Sequence, residues 1–188
     1  MRLDLFDHKV FSRAKPIWIE ALWLVAQCLL VRSQIPGSAH RRFVLRLFGA
    51  RIGTAVVIKP GVRIKFPWRL TVGDHSWLGE DAWIDNLADV MIGSHCCISQ
   101  AAYLCTGNHD WAATGFDLRA APIRICDGAW IAARSVVAPG VTIGEGSILA
   151  IGSVATRNLN AWSINAGSPA TQTGQRPKRP SGVTLVQF

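Results

Sequence analysis

From Ile52 onward an apolar residue opens nearly every block of six. Ile52, Ile58 and Ile64 begin the series, Val72, Leu78 and Ile84 continue it, and Ile92, Ile98 and Leu104 follow. After a gap, Ile125, Ile131, Val137, Ile143, Leu149 and Ala155 complete it. The run IGEGSILAIGSVAT, residues 143–156, shows the unit plainly, with an apolar residue first, Gly or Ala often second, and Ser147 and Ser153 fifth. A period of six matches neither the helical nor the strand repeat. It marks a solenoid, whose unit buries its apolar face only by stacking on its neighbours.

Fifteen blocks, taken three to a turn, predict a triangular prism of about five turns. The blocks opening at Ile64, Ile84 and Leu104 run long, and each is the third of its turn. All three insertions therefore leave the prism at one corner, which randomly placed insertions would not do. The fifth residue of a block faces inward near a corner and should be small, as Ser76, Ala82, Ala88, Cys96 and Ala102 are. Trp68 is the exception. His75 and His95 are both fourth in the first block of a turn, so their rings should stack one coil apart.

The flanks divide the chain into three parts: residues 1–50 as a helical cap, 51–160 as repeats interrupted by a loop at 110–124, and 161–188 as a C-terminal loop and tail. Residues 1–15 are polar and mixed and are expected to wrap the surface. Ile17 to Val31 is strongly apolar but only fifteen residues long, with Glu20 and Gln27 inside it, short of the 20 or so residues of a membrane span. It suits either a helix capping the open end of the prism or an interfacial helix on a membrane. Trp18, Trp23, Arg32 and the basic run Arg41 to Arg46 would favour the second. Ser33 to Ser38 is a turn with Pro36 and Gly37, and Ala39 to Phe48 a second helix with Phe43, Val44, Leu47 and Phe48 on one face, ending at Gly49. WSINAGSPA, residues 162–170, has turn chemistry, and residues 175–182 are an extended or mobile tail.

Composition narrows the partners. At 49% apolar residues, the chain has the material for a substantial core and is not a disordered one. The net charge of +8 is uneven: residues 1–50 carry eight Lys or Arg against three acids, and residues 51–188 twelve against nine. An anionic partner fits this, such as a membrane surface, a phosphorylated substrate or a nucleotide cofactor. No motif points to nucleic acid. Five cysteines without a CxxC make a reduced, cytoplasmic setting the expectation.

Chemistry is expected where the phase breaks. CTGNHD, Cys105 to Asp110, ends a rigid strand at the head of the long interruption, and loops of that length inside compact domains are commonly functional. His109 is either a surface histidine or a general base able to take a proton from an attacking alcohol. Cys105 is a poorer candidate, because direct attack by an acceptor needs no covalent enzyme. His75 and His95 are two ligands at most, too few for a zinc site, so no metal is expected.

The repeat phase resembles the hexapeptide-repeat acyltransferases, and the resemblance implies a left-handed parallel β-helix, a mainly β fold. Over RIKFPWRLTVGDHSWLGEDAWIDN, over FDLRAAPIRICDGAWIAARSVVAPGVTIGEGSILAIGSVAT and at LRLFGARIG, the chain is most similar to the colanic acid biosynthesis acetyltransferase type. TGNHD resembles the catalytic-histidine segment of galactoside and maltose O-acetyltransferases. The resemblance implies a homotrimer that moves acetyl from acetyl-CoA to a hydroxyl of a sugar or glycolipid acceptor, with His109 as the base. It also implies that Trp130, Ala133 and Ile151 line the pantetheine groove, with Thr156 and Arg157 near the far end of the cofactor. Asp85 and Asn86 head an inserted corner one turn below His109 and are candidates for holding the acceptor, Asn86 serving equally well as a turn residue. NAGSPA resembles the family's closing loop, with Ser168 where Asn is usual. A non-catalytic scaffold and a metal-dependent lyase on the same fold are the alternatives.

Overall fold

The computed structural model describes residues 1–6 and 12–178. The three block classes form the three faces of a prism of parallel strands. The first face stacks Arg51–Ile52, Leu70–Val72, Val90–Ile92, Ile123–Ile125 and Thr142–Ile143. The second carries Val57–Ile58, Trp77–Leu78, Cys97–Ile98, Trp130–Ile131 and Ile148–Leu149, and the third Arg63–Ile64, Trp83–Asp85, Tyr103–Cys105, Val136–Val137 and Val154–Ala155. All fifteen block openers are buried, so the sequence phase is the core.

Local chemistry sets the corners. The fourth residue of a block turns the chain in the left-handed region, with φ of 52° to 58° at Ala55, His75, His95, Asp81, Ala101 and Arg134. Such a conformation costs a non-glycine residue about 1–2 kcal/mol, which the coil-to-coil backbone ladder offsets. The second residue lies against the coil above: a Cβ on Gly73 would come 2.5 Å from the carbonyl carbon of Gly93. His75 and His95 stack as their spacing requires, with centroids 5.1 Å apart and planes 14° from parallel.

The inward corner residue is counted back from the next opener rather than forward from the last. At the inserted corners that position falls on Leu70, Val90 and Ile123, all buried. Trp68 and Ala88 are therefore not corner residues at all, and the apparent exception at Trp68 disappears. This corner takes branched side chains because the inserted segments leave from it. At the other corners the inward residues are small except Val56 and Val62 in the first coil, and burial pushes the Cys96 thiol up to about 11, so it sits in the core as an inert small hydrophobe.

The N-terminal segment caps the first coil. Helix α1, Ile17–Ala26, continues into one π-helical turn, Gln27–Val31, and α2 spans Ala39–Leu47. Trp23 is fully buried, donates Nε1–H to the Ile64 carbonyl at 2.9 Å, and packs on Phe48. The Ile64 N–H in turn donates to Gln27 Oε1 at 2.6 Å. Two expectations about α2 need correction. Its buried side is Arg41, Val44 and Leu45, while Phe43 and Leu47 are exposed. The basic run faces the protein rather than a membrane: Arg41 is buried among backbone carbonyls, Arg42 donates to the Val56 carbonyl, and Arg46 to those of Ile52 and Gly53. Among the described residues no helix is long and apolar enough to cross a membrane.

The C-terminal expectation also changes. Leu159 bridges to Ile143 on the first face, and Ser163–Gly167 pairs in parallel with Ile148–Leu149. The prism thus begins a sixth turn where a loop was expected. Ala170–Gln175 then returns antiparallel along the edge strand Ser163–Gly167 and closes that end. Of the expected tail at 175–182, residues 179–182 lie outside the described residues.

Candidate active site

The interruption after His109 is a hairpin, not an irregular loop. Gly107–His109 pairs antiparallel with Leu118–Ala120, His109 opposite Leu118, and Ile123 is already back in the first face. The arm leaves the prism at the corner between the third and first faces. Its root is fixed from below: Thr106 is buried and donates Oγ1–H to the Asp85 carbonyl at 3.0 Å. Leu87 packs so closely under Gly107 that a Cβ there would lie 2.5 Å from its Cδ1.

His109 is held on three sides. Its ring stacks on Phe116 with centroids 4.2 Å apart and planes 3° from parallel, and Phe6 approaches at 5.6 Å. Its Nδ1 lies 2.8 Å from the Phe116 carbonyl oxygen. A carbonyl can only accept, so Nδ1 carries the proton and Nε2 keeps its lone pair. Phe116 sits at φ 53°, a conformation unusual for an aromatic residue. That turn is what brings both its ring and its carbonyl to the same imidazole. Asn108 Oδ1 accepts the His109 backbone N–H at 2.8 Å, and Asp110 pairs with Arg119 across the arm. The N-terminal residues, expected only to wrap the surface, lie on this arm: the Arg2 N–H donates to the Thr114 carbonyl at 2.8 Å. No repeat phase or motif signals Phe6 or Phe116, since both act through the path of the chain.

The acceptor candidates separate. Asn86 is 0% exposed; its Oδ1 accepts from the Phe66 N–H at 2.9 Å and its Nδ2 donates to the Phe66 carbonyl at 2.7 Å. With both amide atoms spent on the coil below, Asn86 is a structural clamp, which corrects its assignment as an acceptor ligand. Asp85 points outward on the third face, where Lys65 approaches it at 3.2 Å and the Tyr103 hydroxyl donates to it at 3.1 Å. Burial, helped by the neighbouring Cys105 and Asp85, pushes the Tyr103 phenol well above its ordinary range, so it remains a donor. Trp83 stacks on Tyr103 at 4.5 Å and Arg63 lies over Trp83 at 4.5 Å. Cys105 turns its thiol to the Gly107 carbonyl at 3.1 Å.

The cofactor candidates occupy two regions. Trp130 lies on the second face, exposed, its Nε1–H donating to Ser99 Oγ at 2.9 Å. Ala133 and Ile151 stack at the corner between the second and third faces, where Gly152 N–H donates to the Ala133 carbonyl at 3.0 Å. Ile151 is 72% exposed. Thr156 and Arg157, also exposed, sit two coils above His109 at its own corner. Within one chain the whole third face separates His109 from Ala133 and Ile151. A groove of about 520 Å³ on the first face, lined by Met91, Ser94, Arg124, Asp127 and Glu145 among others, contains none of these residues. Among the described residues, no three His, Cys, Asp or Glu side chains are grouped to hold a metal.

Residues 122–156 match the family model described as bacterial transferase hexapeptide (six repeats). The chain is 41% identical over 168 residues, 89% of its own length and 92% of the relative's, to an Escherichia coli K12 protein provisionally named colanic acid biosynthesis acetyltransferase WcaF. The fold is that of the hexapeptide-repeat acetyltransferase VCA0836 of Vibrio cholerae, with a TM-score of 0.79 at 22% identity over 86% of this chain and 93% of that one. VCA0836 has also been solved with acetyl coenzyme A. A galactoside acetyltransferase in complex with coenzyme A is similar at a TM-score of 0.77 and 20% identity, over 85% of this chain and 81% of that one. These likenesses give the coil its left hand, against the usual right-handed crossover between parallel strands.

Proposed function

The chain belongs to the hexapeptide-repeat acetyltransferases, and we propose that it transfers acetyl from acetyl-CoA to a sugar hydroxyl in exopolysaccharide biosynthesis, in the cytoplasm, with His109 as general base. The observation that carries this reading is the His109 Nδ1 to Phe116 carbonyl contact of 2.8 Å, which commits the other ring nitrogen to accepting a proton. Nε2 takes the hydroxyl proton as the sugar oxygen attacks the thioester carbonyl. The new C–O bond replaces the C–S bond, and the imidazolium returns its proton to the departing thiolate. The Phe116 carbonyl stabilises the imidazolium in between, and the stacked Phe116 ring with the tilted Phe6 ring beside it holds the plane of the base, so little reorganisation is needed.

The acceptor and donor sites are assigned on the same geometry. Asp85, oriented by Tyr103 and Lys65 beside the Trp83 ring, offers a carboxylate and an aromatic edge to a sugar one coil below the His109 root. Trp130, Ala133, Ile151, Thr156 and Arg157 are the residues offered to the cofactor. Because the third face lies between His109 and Ala133 with Ile151, a groove touching both sets is formed between two copies of the chain. This favours a homotrimer with each site at a boundary, and it accounts for an Ile151 left open in the single chain.

Coenzyme A bound to the native state alone must raise its stability by about 2.7 kcal/mol at a hundredfold excess over Kd. For a chain of this size that is a melting temperature higher by about 5–10 °C. No shift at saturating coenzyme A would refute the donor site and leave a scaffold.

A further inference from the structure

We infer that the N-terminal cap is a docking surface for an anionic bilayer, with α1 lying in the plane of the headgroups. The starting observation is an inversion. A helix on the rim of a soluble domain turns its polar side to water, but α1 and its π turn do the reverse. The polar members face the protein or its flank: Glu20 is tied to Arg13, and Gln27 to the Ile64 backbone. Trp18, Leu22, Leu24, Val25, Leu29 and Leu30 are exposed, and every exposed residue from Ile17 to Leu30 is apolar or Cys28. Scattered surface hydrophobes need no partner, whereas a continuous stripe along a whole helix does.

Charge identifies the partner. Between Glu20 and Asp74 the chain has no Asp or Glu and carries nine Lys and Arg; Arg41 is buried and Arg42 and Arg46 are turned to backbone carbonyls, so the cationic end of the prism rests on Lys15, Arg32 and the cations of the first coil. Lys15 and Arg32, both exposed, stand immediately before and after the apolar helix, where their side chains can reach phosphates while the stripe enters the acyl boundary. A second copy of the chain would set two such cationic ends face to face, and the repulsion disfavours it. The helix from Ile17 to Val31 is too short to span a bilayer, so it lies on the surface. His109 leaves the third coil, and coils stack about 4.8 Å apart, so an acceptor tethered to a lipid headgroup is within reach. The docking does not depend on the acetyl-transfer reading, and its failure would leave that reading intact.

Flotation of the full chain with vesicles tests it. With mixed phosphatidylcholine and phosphatidylglycerol vesicles the protein should float at low salt. Binding should fall by about tenfold or more with phosphatidylcholine alone, or at about 0.5 M salt. The double substitution Leu22→Glu with Val25→Glu should lower flotation by about tenfold or more, with the melting temperature and the mass in light scattering unchanged. If that variant folds poorly, Leu22→Gln is the second variant, with an expected loss of about threefold. A native chain that does not float, or substituted chains that float as well as it does, would overturn the inference. A native mass that drops on substitution, to a third for a trimer or to a half for paired assemblies, would also overturn it, assigning the face to another copy of the chain.

Discussion

Replacing His109 by alanine is expected to lower kcat by about two to four orders of magnitude, the range for losing a positioned general base. The fold should survive, because His109 stands on an arm outside the prism and, among the described residues, its ring packs on Phe116 and Phe6; the loss of stability should stay below about 1 kcal/mol. Coenzyme A should still raise the melting temperature of the variant, since the residues assigned to the donor lie on the prism. Steady-state kinetics beside a thermal melt with coenzyme A checks both halves. A variant with native turnover would remove His109 from the chemistry, and one that loses coenzyme A binding as well would make its role structural.

The second large effect is on stability. Arg41 is buried, and its guanidinium serves four carbonyls: Nε donates to Val31 at 2.8 Å, Nη2 to Ser33 and to Ile35 at 2.9 Å, and Nη1 to Gly37. These carbonyls belong to the turn joining α1 to α2, where no helix ladder supplies donors. A methionine at Arg41 fills the space but donates nothing. Hydrogen bonds from a charged donor are worth about 1.5–3 kcal/mol each, but much of this turn is near solvent and can recruit water. The net loss should be about 3–4 kcal/mol, or a melting temperature lower by about 6–16 °C, as read by thermal unfolding. A lysine, with one ammonium for four acceptors, should fall between. A shift under about 2 °C for Arg41→Met would show that the turn is held by something else.

Arg41 also marks what the sequence could not disclose. Its neighbours read as a basic amphipathic run that suits a membrane face, beside the alternative of a cap on the prism. Which side of a nine-residue helix faces in depends on where the first coil ends, and the carbonyls that claim Arg41, Arg42 and Arg46 come from the turn joining α1 to α2, from Ile52 with Gly53, and from Val56. The coil itself was legible, since one apolar residue in six must be buried and every opener from Ile52 to Ala155 is. The shared insertion corner and the His75 and His95 stack follow from the same count. The corner rule failed at Trp68 only because the inward position is fixed relative to the strand that follows it. His109 was visible as the residue where the phase broke, but Phe116 was not: its carbonyl reaches the imidazole through a backbone turn, and no residue type announces that. Asn86 was misplaced for the same reason. An amide at a turn and an amide clamping the coil below look alike until the register of the two coils is known.

On the proposed reading, an acyl donor meets the Nε2 side of His109 at a boundary between copies of this chain. The most direct measurement is a crystal structure of the coenzyme A complex. The cofactor should run past Trp130, Ala133 and Ile151 of one copy and place its sulfur within about 6 Å of Nε2 of a neighbouring copy, room for one hydroxyl between them. Coenzyme A seated instead in the first-face groove of Met91, Arg124 and Glu145, or an Nε2 turned from the bound thiol, would contradict it.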